Sequence, residues 1–236
     1  MSETVPAPEK PPGILEDFLD VFVAPAALFR RRVDGKFGLA LLVLTVLTAV
    51  LFFATRGLIA PIMDAEITRS MAANPNLTPE QIQAARGVAG TFATIAVVVG
   101  MPIAVLVLGL VTWIVGRLVS AKLSYAQGAT IAAFSLFPKL VEGVVGAVQA
   151  AMMDEASLTS RFKISLGMGR FLDSQTTNPA LLAFLGRVDV FTLWVTILIA
   201  IGLKQMGRIT TGQAAIGAAI IWAVGSLPTL LPALRQ

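Results

Sequence analysis

Lys139 and Glu142 are the residues of this chain best placed to do chemistry. They stand three apart, so on a helix they share a face and can meet. They also interrupt an otherwise uncharged interval, 123–153. Ionisable groups inside an apolar segment point to a bundle interior or a wet cavity. Two readings follow. One is a structural ion pair, with Pro138 bending the helix beside it. The other is a contact for a small molecule, an ion or a proton. Ser135 precedes Lys139 by four residues and nominally makes a Ser–Lys dyad, but no oxyanion-hole signature accompanies it. Asp189 opens a later apolar interval, where it can pair with Arg187 or cap backbone N–H groups. Trp194, just beyond, reads as an interfacial anchor. Lys139, Glu142 and Asp189 form the candidate intramembrane polar site.

The remaining inventory excludes more than it offers. There is no Cys and no His, which removes thiolate nucleophiles and metal sites, the commonest general base and the commonest metal ligand. No Gly-Xaa-Gly-Asp, Gly-Xaa-Ser-Xaa-Gly, His-Glu-Xaa-Xaa-His or P-loop pattern occurs, and Gly167-Met168-Gly169 is too sparse to cradle a phosphate. The expectation is a protein that is not an enzyme, with no catalytic residue, no metal and no cofactor. The net charge of +4 is no nucleic-acid footprint either. The basic residues mark the ends of apolar runs rather than one solvated face.

Those residues must be positioned by helices in lipid. Apolar residues make up 56% of the chain and charged residues 14%, against about 45–50% and about 25% in soluble domains. Mean hydropathy is +0.81. A helical span needs ~20 apolar residues, and the uncharged intervals place five spans at about 37–55, 89–116, 124–150, 186–204 and 209–233. The fold expected is all-α, a polytopic five-span transmembrane bundle with an N-terminal interfacial amphipathic helix. The third span is the weak one. Lys139 and Glu142 cost ~2.5–3.5 kcal/mol each on the insertion scale, and the apolar residues around them return ~0.3–0.6 kcal/mol each. The sums nearly cancel, so this span needs its neighbours' help or is re-entrant.

Three segments complete the layout: a disordered tail at 1–13, an amphipathic segment at 14–34 and the membrane domain at 35–234. In the amphipathic segment Ile14, Leu15, Phe18, Leu19 and Phe22 recur at helical spacing, with Glu16, Asp17 and Asp20 opposite. That helix lies on the membrane or packs on the bundle. Thr78-Pro79-Glu80-Gln81 and Asn178-Pro179 are helix starts, the first able to run straight into span two. The pairs Gly128/Ala132, Ala129/Ala133 and Ala215/Ala219 read as internal packing seams. Arg117 with Lys122, and Lys204 with Arg208, fill the short connections on the side of Arg30, Arg31, Arg32 and Lys36. By the positive-inside rule the N-terminus is cytoplasmic and, after five spans, the C-terminus lies outside.

One further pattern is specific. Asp189-Val190-Phe191-Thr192-Leu193-Trp194, then Ile201-Gly202-Leu203, a short basic turn and an Ala/Gly-rich last helix, resembles the C-terminal half of the Yip family, the Ypt/Rab-interacting five-span membrane proteins. The stretch from Phe18 to Phe29 with Pro25, and Ser135-Leu136-Phe137-Pro138, fit the same pattern. The resemblance spans about 14–234 and implies five helical spans and a cytosolic N-terminus. Eukaryotic members are associated with membrane traffic and prenylated small GTPases, through a long N-terminal region with an Asp-Leu-Xaa-Gly-Pro motif. Here Asp20-Val21-Phe22-Val23-Ala24-Pro25 lacks the Gly and is one residue longer, so small-GTPase binding is not transferred. The short tail is similar to that of prokaryotic members, which implies a plasma (inner) membrane. The partners expected are the lipid bilayer and a membrane protein or a second copy of the chain.

Overall fold

A computed structural model describes residues 14–72, 78–174 and 176–233 of the chain. The tail at 1–13 lies outside these residues. The described chain is helical, without a strand, and five of its helical segments are long and apolar enough to cross a membrane. This is the five-span all-α bundle expected.

Two short helices come first, α1 (Ile14–Val23) and α2 (Pro25–Arg31), with Pro25 at the start of the second. They do not lie apart from the bundle. Phe18 packs on Phe134 and Phe137, and Phe22 stands edge-on to Trp194. Leu28 and Phe29 are fully buried. Of the acids of α1 only Glu16 is exposed, and Asp17 and Asp20 are not a solvated face. Asp17 is 1% exposed and accepts from Arg31 at 2.9 Å and from Arg32 Nε at 2.6 Å, and Asp20 also binds Arg31. Hydrogen bonding to Asp20 raises the affinity of Arg31 for its proton, against the opposing effect of burial.

The next two helices are α3 (Gly38–Ala72) and α4 (Pro79–Leu118), of 35 and 40 residues. At ~1.5 Å per residue they are about 52 and 60 Å long, well beyond ~30 Å of hydrocarbon. Helix α3 continues past Arg56, where the apolar interval ends, because a charge marks where lipid stops and not where a helix must. In its apolar part the Thr hydroxyls donate back along the helix: Thr45 to Leu41 O at 2.8 Å and Thr48 to Leu44 O at 2.7 Å. Helix α4 starts at the expected cap, with Thr78 and Gln81 bonding each other's backbone N–H groups.

The third span is broken into α5 (Tyr125–Ser135) and α6 (Pro138–Met152). Pro138 has no N–H to continue the ladder, and the chain turns at Leu136 and Phe137. Every residue of α5 from Gly128 to Ser135 is buried, between α4, α8, α3 and α1. The span with the poorest insertion balance is half buried by its neighbours, as the fourth also is and the other three are not. After two 3₁₀ turns come α7 (Pro179–Leu185), capped by Asn178, α8 (Val190–Gly207) and α9 (Thr211–Ala233). One small-residue reading needs correction. Gly128, Ala129, Ala132 and Ala133 do lie in a packing seam, but Ala215 and Ala219 face outward. The register of α9 instead buries Ala214, Ala218 and Ile221.

Hydrogen bonds tie one end of the bundle together. Val33 O accepts from Gln127 Nε2 at 2.7 Å, and Lys122 N donates to Gly207 O at 3.2 Å. The segments carrying Arg30 to Lys36, Arg117 to Lys122 and Lys204 to Arg208 therefore meet at the same end.

Candidate functional site

The three candidate residues converge at the other end. Pro138 opens α6, so Lys139 and Glu142 stand in its first turns on one face, 2.5 Å apart. The contact is an ion pair by distance rather than an aligned hydrogen bond. Lys139 Nζ also donates to Thr192 Oγ1 of α8 at 3.2 Å, across 53 residues of sequence. Asp189 is the N-cap of α8. Its Oδ1 accepts from the backbone N–H of Phe191 and of Thr192, both at 2.9 Å. This satisfies two of the donors that a helix start leaves free. Asp189 is thus a cap rather than the partner of Arg187. Trp194 is half-buried between Phe191 and Phe22, so it packs α1 onto α8.

Around these residues is a cavity of about 470 Å³, walled by α6, the 161–165 segment, α7, the 186–189 turn and α8, with Ile59 of α3 and Thr229 of α9 on its lining. That volume is in the range of small-molecule sites, ~300–1,000 Å³. About a third of each side chain of the ion pair is accessible, 31% for Lys139 and 32% for Glu142. The pair therefore belongs to a cavity wall and not to a sealed core.

Two residues of this wall were not in the candidate set. Arg187 is half-buried, and its Nε donates to Ser226 Oγ of α9 at 3.2 Å. Arg161 lies over the Phe162 ring at 5.1 Å. Arg187 was legible as a charge beside the start of span four. Arg161 carried no signal, because only folding of the long 153–178 connection brings it to the wall. That connection is pinned by Gly167, which pairs with Asp189 in an isolated antiparallel bridge. A Cβ at Gly167 would stand 2.9 Å from Asp189 Cβ, so a side chain there would push the connection off the helix start.

The Ser–Lys pairing does not form. Ser135 is fully buried and its Oγ makes no hydrogen bond, while Lys139 is committed to Glu142 and Thr192. The break at Leu136 and Phe137 separates the two residues onto different helices, so helical four-residue spacing does not apply.

Comparison with known protein families matches residues 19–231, nearly the whole chain, to the Yip1 domain. No curated protein and no solved structure matches significantly.

Proposed function

The chain belongs to the Yip1 domain family, and on that premise we propose that it is a non-enzymatic membrane protein that organises the membrane or binds a protein partner, a second copy included. Its five apolar helices and its family make it an integral membrane protein. The observation that carries the finer reading is the outward surface of α3 and α4. Their apolar windows are each only 11% buried within the chain. Leu42, Val46, Val50 and Phe53 on one helix, and Phe92, Ile95, Val99 and Ile103 on the other, face away from the bundle. Crosslinking and co-purification from native membranes should recover a defined protein partner or a self-oligomer. Turnover by the purified protein, abolished by Ser135→Ala or Lys139→Met, would overturn the proposal.

The basic end of the bundle sets the orientation we favour. Lys and Arg near short loops are retained on the cytoplasmic side, so we place the N-terminus in the cytoplasm, and a plasma (inner) membrane is the setting we propose. Cysteine labelling is clean in a chain with no Cys. A Gln236→Cys variant should react with an impermeant reagent added from outside intact cells. Reaction only after permeabilisation would reverse the assignment.

The cavity favours a second reading, a carrier or binding protein for a small molecule or ion. A purely structural Lys139–Glu142 pair would make the single variants Lys139→Met and Glu142→Leu unstable and the double variant nearly neutral. A fully buried pair broken on one side costs ~3–5 kcal/mol. With a third of each side chain accessible the expected cost is about 1–2 kcal/mol. Proteoliposome flux and thermal unfolding on the same three variants separate the readings. A stable double variant that loses flux supports the carrier. A stable double variant with no functional defect removes it.

A further inference from the structure

The cavity wall carries one more cation than anion. Lys139, Arg161 and Arg187 line it together with Glu142 and Asp189. Both acids are already engaged, Glu142 with Lys139 and Asp189 with the N–H groups that start α8. The arginines are not. Only the Nε of the Arg187 guanidinium has a hydrogen-bond partner, Ser226; the Arg161 guanidinium lies over the Phe162 ring, while the Arg161 backbone N–H donates to Glu66 Oε1 at 3.3 Å. A half-buried guanidinium without an ion-pair partner is costly, and its planar fork suits an oxyanion. The three cations come from separate elements, α6, the 161–165 segment and the 186–189 turn. Cationic side chains from three elements on one wall suit the several oxygens of a phosphate better than the two of a carboxylate.

We infer that this cavity binds a phosphate oxyanion of charge about minus one, held by Arg187 and Arg161 with Lys139 behind them. The inference deepens the second reading above, because it names the ligand class of the same cavity. Phosphate can arrive here as a phospholipid head group or as the free anion.

The test uses the full chain in phosphatidylcholine nanodiscs. Phosphatidylglycerol is then introduced into the discs, or inorganic phosphate into the buffer, and binding is read by native mass spectrometry and by the thermal midpoint. The wild-type protein should retain one of these probes and gain in midpoint. Arg187→Gln and Arg161→Gln should each weaken that binding by about tenfold, the scale of one charge-assisted hydrogen bond. Arg187→Lys should recover part of it. Arg161 is exposed, so its variant tests the site even if Arg187→Gln fails to fold. Retention of phosphatidylglycerol that millimolar phosphate does not displace identifies the lipid head group. Displacement by phosphate identifies the free anion. Absence of binding by either probe, or binding unchanged in Arg161→Gln, overturns the inference. Binding without flux would remove the carrier and leave the site standing, so the two can fail separately.

Discussion

Replacing Asp17 with alanine should lower stability by about 2–3 kcal/mol and release the N-terminal helices from the bundle. Asp17 is 1% exposed and holds Arg31 and Arg32 together, so its loss leaves two guanidinium groups without that partner. Breaking one side of a buried pair costs ~3–5 kcal/mol. The lower figure applies because the side chains of Arg31 and Arg32 are 30% and 21% exposed and can regain some water. Asp20 is more exposed and binds only Arg31, so Asp20→Ala should cost clearly less. The consequence travels through packing. Asp17 precedes Phe18, which is seated on Phe134 and Phe137, and Phe22 a turn later is seated on Trp194. Thermal unfolding in detergent, with limited proteolysis near residues 24–34, reads both effects. A midpoint unchanged to within about 0.5 kcal/mol, the range of ordinary surface substitutions, would show that the charge cluster does not hold α1 in place.

A comparable loss is expected from Gly128→Val, for a steric reason. A Cβ at Gly128 would stand 2.6 Å from the carbonyl oxygen of Gly109, and one at Gly109 would stand 2.7 Å from the Cα of Ala129. The backbones of α4 and α5 are therefore in contact, and no side-chain rotation relieves the clash. Overpacking of this kind costs ~1–3 kcal/mol, and valine against a backbone belongs at the upper end. Gly100→Ala is the matched control. Nothing lies within 4 Å of a Cβ there, so the change should be neutral or stabilising by up to about 1 kcal/mol, the helix preference of Ala over Gly. Equal midpoints for the two variants would show that the helices can separate freely, contrary to the packing described.

The fold was legible wherever its cause is local. A run of apolar residues long enough to span lipid is a property of contiguous sequence, and five such runs produce five spans, the third of them broken into two helices. The caps are equally local, since Thr78 with Gln81 and Asn178 with the amides of Ala180 and Leu181 need only residues two or three apart. Charge position was a poorer guide to helix length. Arg56 ends the apolar interval at 37–55, yet α3 runs on through it and through Asp64 and Glu66.

What folding alone decided is the company each charge keeps. Residue order placed Asp17, Asp20, Arg31 and Arg32 within one turn-separated stretch, but read the acids as a polar face and the arginines as a membrane-side signal. A tight break at Ala24 folds α1 against α2 and turns both sets inward. Similarly, Lys139 and Glu142 were visible as a pair three residues apart. Thr192, Arg187 and Arg161 join them only because α6 and α8 pack together and Gly167 draws the 153–178 connection onto the start of α8. Hydrophobic length and capping act over a few residues and are written in order along the chain. A cavity is made by side chains tens of residues apart, and its charge balance depends on a packing geometry that no local pattern encodes.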